Sequence, residues 1–131
     1  MSQTDIDVVR GSFEAFNALD AERLVSLSAE DCEWLPFRAQ LEGSAYRGHA
    51  GIRQFLRDMA EDWEELRVDP LEFHDRSPLV VVVGQMRLLG RGSSVDIETL
   101  AGFVFELRRG QIRRVTSYSN PEAALEAVDA D

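Results

Sequence analysis

The stretch Leu79-Val80-Val81-Val82-Val83-Gly84-Gln85-Met86-Arg87-Leu88-Leu89, the link Gly90-Arg91-Gly92-Ser93-Ser94, and the stretch Val95-Asp96-Ile97-Glu98-Thr99-Leu100-Ala101-Gly102-Phe103-Val104-Phe105-Glu106-Leu107 together decide the fold. The first stretch carries a β-branched run, which suits a pleated surface and resists a helix. The last alternates polar with apolar residues, the period of a strand. The glycine- and serine-rich link between them is too short for a parallel crossover, so the two strands form an antiparallel hairpin.

Working outward, residues 66–74 alternate loosely and stop at the turn Asp75-Arg76-Ser77-Pro78. Residues 112–119 form another strand after Arg109-Gly110. Upstream, the period changes. Ile52, Phe55, Leu56, Met59 and Trp63 recur at helical spacing over residues 49–63, with Arg53, Arg57, Asp58, Glu61 and Asp62 mainly on the other side. Val8, Val9, Phe13, Phe16 and Leu19 do the same over residues 5–19, with Thr4 or Asp5 as cap. A short second helix starts after its cap Asp20 and turns Leu24, Val25 and Leu27 inward. Residues 32–37 read as a short strand ending against Pro36, and residues 38–48 as a loop containing Gly43 and Gly48. Asn120-Pro121-Glu122 opens a terminal helix, with Pro121 where its missing N–H costs nothing. The order α-α-β-α-β-β-β-β-α defines an α+β class: a curved antiparallel sheet packed on N-terminal helices.

The 131 residues suit one domain, residues 1–131, without repeats or linkers. No run matches a membrane span, and the first residues lack a signal-peptide pattern, so a cytoplasmic location is expected. The lone Cys32 agrees with a reducing compartment. A net charge of −10 repels phosphate backbones and anionic lipid, so neither nucleic acid nor membrane is an expected partner. Much of the acidic excess lies in Glu61, Asp62, Glu64 and Glu65, a solvated helix face.

Three pieces carry a family resemblance: Leu27-Ser28-Ala29-Glu30-Asp31-Cys32-Glu33-Trp34, Tyr46-Arg47-Gly48-His49-Ala50-Gly51-Ile52-Arg53-Gln54-Phe55, and Arg109-Gly110-Gln111-Ile112 before the terminal helix. In this order and spacing the chain resembles the SnoaL-like branch of the nuclear transport factor 2-like superfamily. The resemblance implies a cone-shaped roll of the cystatin-like kind, with a pocket at its open end. Among the family's enzymes, ketosteroid isomerase uses a carboxylate base with an oxyanion hole of a tyrosine and a protonated aspartate. Those positions fall near Pro36, Ser12 and Gly102, so none is retained; a shift of one or two residues brings Glu33 towards the base position. Other SnoaL-like enzymes include polyketide cyclases, dehydratases and epoxide hydrolases, which place other acids and bases in the same cavity.

Hairpin geometry gives a pocket list. A turn at residues 90–94 sets Arg87 opposite Glu98, Gln85 opposite Leu100 and Val83 opposite Gly102, all on one face. The family alignment puts that face inside the cone. Arg87 and Glu98 then form a cross-strand ion pair, which either orients a substrate group or merely joins two strands. Trp34 either stacks on a flat ligand or fills the core. Tyr46 donates to a substrate oxygen or to a backbone carbonyl, and Tyr118 stands at the rim. Glu98 and His74 are the candidate proton-transfer groups; His74 titrates near neutrality but is equally a structural strand residue. Exposed His49 and buried Cys32 lack partners at metal or triad spacing, so no metal and no cofactor are expected.

The opposite parity, Thr99, Ala101, Phe103 and Phe105, reads as an apolar outer face. The resemblance implies a homodimer through it; the competing reading covers it with the terminal helix through Ala124, Leu125 and Val128. The functional expectation is a small-molecule pocket protein acting on an apolar substrate as isomerase, cyclase or hydrolase. The alternative is a non-catalytic binding or dimerisation module.

Overall fold

A computed structural model describes residues 2–129. It contains α1 (Ser2–Asn17), α2 (Ala21–Ser26), β1 (Ser28–Leu35), α3 (Phe37–Leu41), β2 (Tyr46–Arg47), α4 (Gly48–Asp62), β3 (Trp63–Arg76), β4 (Leu79–Gly90), β5 (Asp96–Arg108), β6 (Gln111–Tyr118) and α5 (Pro121–Asp129). The expected order is present, and the segment read as a loop holds two further short elements, α3 and β2. Four- and two-residue periods are too brief to register across such short pieces. The six strands form one curved sheet in the order β2-β1-β6-β5-β4-β3. Its pairs are antiparallel except β1 with β6, which run parallel because most of the chain separates them.

Local chemistry explains the boundaries. Asp20 caps α2 by accepting from the Arg23 N–H at 3.1 Å, and Asn120 accepts from the Ala123 N–H at 2.8 Å. Helix α1 begins at Ser2, so Thr4 and Asp5 lie within its first turn instead of capping it. At the β5–β6 turn, Arg109 and Gly110 both have positive φ (56° and 76°), as a tight hairpin of matching twist requires. Trp63 opens β3 rather than closing α4.

The sheet has an inner face toward α1 and α4 and an outer face toward solvent and α5. Val9, Phe13, Ile52, Phe55, Trp34, Val82, Phe103 and Phe105 belong to one buried cluster between helices and inner face. Asn17 fixes α1 to the edge strand: its amide donates to Val68 O at 2.8 Å and accepts from Val68 N at 2.9 Å. This occupies backbone groups that an edge strand otherwise leaves open. On the outer face α5 sits so close that a Cβ on Gly102 would lie 2.6 Å from the Ala124 Cβ, so only glycine fits.

Candidate functional site

A cavity of about 420 Å³ opens between α1, α4, α3 and the inner face. Its wall is mostly aromatic and aliphatic. Phe13 and Phe16 come from α1, Trp34 from β1, Phe55 and Met59 from α4, Leu66 and Val68 from β3, Met86 and Leu88 from β4, Phe103 and Phe105 from β5. The rings brace one another: Phe13 meets Phe103 edge-on at 5.5 Å between centroids, Phe16 stacks on Phe55 at 5.7 Å, and Trp34 lies 5.8 Å from Phe55. Contacts of this kind fix the wall before any ligand arrives.

Polar groups are few. Ser12 is buried and spends its hydroxyl proton on Val9 O at 2.6 Å. Ser117 lines the wall, and Trp34 Nε1 is buried without a hydrogen-bond partner. Among the described lining residues the ionisable ones are Arg38 and Asp62, joined at 2.8 Å. Both are solvent-exposed, at 67% and 41%, so they mark the mouth rather than the floor. Asp62 raises the Arg38 pKa through this bond, with Glu42 adding to the field. Among the described residues no group of three His, Cys, Asp or Glu side chains is placed to hold a metal ion.

Beside the mouth lies a smaller cavity of about 170 Å³, which shares Pro36, Arg38 and Met59 with the first. Tyr46 stands on its wall and donates to Asp58 Oδ2 at 2.6 Å. Burial, with the Asp58 carboxylate next, pushes the Tyr46 phenol up to about 12. The same bond lowers the Asp58 pKa.

The expected register is observed: Arg87 opposite Glu98, Gln85 opposite Leu100, Val83 opposite Gly102. The face is inverted. Met86, Leu88, Phe103 and Phe105 line the cavity, so Gln85, Arg87 and Glu98 lie on the outer face. Desolvating two charges against an aromatic wall costs several kcal/mol, whereas two phenylalanines gain by burial there. The Arg87–Glu98 ion pair is replaced: Arg87 bonds Glu65 at 3.3 Å and lies 3.7 Å from Asp96. His74 is also on the outer face, with Nε2 3.0 Å from Glu72 Oε1, and Tyr118 pairs with Gly102 on the α5 side. Neither His74, Glu98 nor Tyr118 touches the cavity. The dimer face fails for the same reason, since Ala101, Phe103 and Phe105 are buried inside the chain. The competing reading, in which the terminal helix covers that same parity, also fails: α5 packs on the opposite face, over Gly102, with Ala124 fully buried.

Of the expected residues, Trp34 stands on the main wall and Tyr46 on the smaller one. Of the isomerase positions, Ser12 and Pro36 line the cavity, but Gly102 faces α5. Glu33 is turned away and tied to Arg114 (2.7 Å) and Arg47 (3.1 Å), which lower its pKa in that order. His49 is half-buried, its Nε2 3.0 Å from Ser28 O. The sequence reading missed Arg38 and Asp62. Arg38 lies in the stretch 38–48 and Asp62 in the acidic run 61–65, and only tertiary folding brings them together.

A curved sheet closed by helices around an apolar cavity is the fold of solved nuclear transport factor 2-like and ketosteroid isomerase-like proteins that this chain resembles. The chain belongs to the SnoaL-like domain family, whose model matches residues 9–115. An NTF2-like protein of unknown function from Burkholderia pseudomallei is similar in structure (TM-score 0.79, 20% identity, 96% of this chain and 98% of that one). So is TerC co-crystallised with polyporic acid (0.78, 22%, 98% and 99%). A putative SnoaL-like polyketide cyclase from Shewanella denitrificans is a third (0.73, 18%, 94% and 97%). No curated protein matches the sequence. No described helix is long and apolar enough to cross a membrane.

Proposed function

We propose that the chain binds a small, largely apolar organic molecule in the inner-face cavity. The observation that carries this reading is a braced aromatic cavity of about 420 Å³ whose charged groups, among the described lining residues, stand at its mouth. Its volume falls within the roughly 300–1,000 Å³ of small-molecule sites. The crystallisation of TerC with polyporic acid supports an organic ligand in this fold. The chain's two tryptophans, Trp34 and Trp63, both line the wall, so ligand entry alters intrinsic fluorescence. The test is titration with the neutral probe N-phenylnaphthylamine. Saturable quenching is expected, with affinity falling about tenfold or more (~1.4 kcal/mol) in Ser117→Phe, which fills the cavity. A Ser117→Phe protein that is folded by circular dichroism and binds the probe unchanged contradicts the reading.

A catalytic reading rests on one residue. Asp62 is the carboxylate among the described lining residues, and isomerase, cyclase or hydrolase chemistry by proton transfer would run on it, with Arg38 stabilising negative charge. Asp62→Asn then abolishes turnover and leaves probe binding intact; turnover that survives the substitution removes this second reading. Self-association, if through the outer face, uses Gln85, Arg87, Glu98 and Leu100 rather than Phe103 and Phe105. Sedimentation velocity of Leu100→Arg reads this directly.

A further inference from the structure

The two cavities share part of their walls. Pro36, Arg38 and Met59 belong to both walls, and of these Pro36 is rigid and Arg38 is held by Asp62 at 2.8 Å and lies 4.0 Å from Glu42. Met59 is half-buried, and no hydrogen bond or ion pair constrains its unbranched side chain. A methionine with three rotatable bonds is the kind of partition that a ligand can displace.

The two chambers differ in chemistry. The larger is aromatic, while the smaller presents Glu42, Ser44 and Tyr46 beside Ala39 and Ala45. These polar groups are acceptors more than donors. Tyr46 already donates its hydroxyl hydrogen to Asp58, so towards a ligand its oxygen can only accept. Glu42 is a carboxylate, and the Arg38 guanidinium is already engaged by acids. A carboxylate entering the smaller chamber meets the Glu42 carboxylate, while the one cation among its described lining residues, Arg38, already faces Asp62 and Glu42.

We infer that the site takes a two-part ligand: an apolar ring body in the large chamber and a short hydroxyl- or amine-tipped arm that passes Met59 into the small one. This rests on the proposed binding function and adds the ligand's shape, the sign of its polar group and Met59 as the specificity-determining residue. An anionic tip is disfavoured, in keeping with the net charge of −10.

The test displaces N-phenylnaphthylamine with naphthalene, naphthylpropanol and naphthylpropanoate. Naphthylpropanol is expected to bind about tenfold more tightly than naphthalene, and naphthylpropanoate no more tightly than naphthalene. The hydroxyl makes the alcohol more water-loving, so such a gain does not come from transfer out of water alone. Ala45→Phe fills the small chamber and is expected to erase the gain while leaving naphthalene unchanged. Met59→Ala, which removes the partition, is expected to increase it. Equal binding of naphthalene and naphthylpropanol overturns the inference, as does a gain that survives Ala45→Phe or a carboxylate that binds best. Should neither the probe nor naphthalene bind, the binding function itself falls and this inference with it.

Discussion

Neighbouring residues on β4 and β5 live in opposite chemistries. Met86, Leu88, Phe103 and Phe105 form an apolar wall facing α1 and α4, while Gln85, Arg87, Glu98 and Leu100 form a more polar and more exposed surface one residue away. The two faces share the same strands, turn and register. Strand alternation sorts side chains into two sets, but it does not say which set is inside. That choice belongs to the balance of burial: aromatic area gains about 25 cal/mol per Å² when buried, whereas unpaired charge loses far more.

The predictions press on this contrast, beginning where the effect is largest. Phe105 is 2% exposed and touches Phe13 and Trp34, so Phe105→Ala is expected to cost about 3–4 kcal/mol in urea denaturation. A loss below about 1 kcal/mol would mean that Phe105 is not in the wall. Gly102 tests the other face. Gly102→Val drives a side chain into α5 and is expected to cost about 1–3 kcal/mol, with Ala124→Gly restoring part of it in the double variant. Additive losses would place the clash elsewhere.

Tyr46→Phe is smaller, about 1 kcal/mol, and carries a pH signature. The Tyr46 hydroxyl holds the folded-state Asp58 pKa below its unfolded value. Its stabilisation is therefore present above about pH 4 and is lost as pH falls through the folded-state pKa. In Tyr46→Phe the acid limb of the stability profile is expected to flatten; a parallel profile at both ends breaks the assignment. Smallest of all, Arg87→Ala and Glu98→Gln are expected to change stability by less than about 0.5 kcal/mol and probe affinity not at all, because their surroundings are exposed. Loss of probe binding in either would return the pocket to the outer face.

Much of the architecture was legible. The β-branched run at 80–83, the turn chemistry at 90–94 and 109–110, and the caps Asp20 and Asn120 each have a local cause, and the register followed from the turn alone. The face of the sheet was readable too, from a different signal. Phe103 and Phe105 are the bulkiest side chains of β5, and an apolar pair of that size belongs against the helices unless something else covers it. The mouth was not readable. Arg38 and Asp62 stand 24 positions apart, on the short α3 and at the end of α4, and no periodicity joins them. The small chamber depends likewise on Met59 lining one cavity with Tyr46 and Ser44, an arrangement made by folding rather than by spacing.

Gln85 and Met86 offer the most direct test of the central claim, because they are sequence neighbours on opposite faces. N-phenylnaphthylamine is added while NMR follows the Met59 and Met86 methyl groups and the Gln85 side-chain amide. Saturable shifts of both methyls with a stationary Gln85 amide are predicted for a ligand in the inner cavity. A moving Gln85 amide with stationary methyls would contradict it.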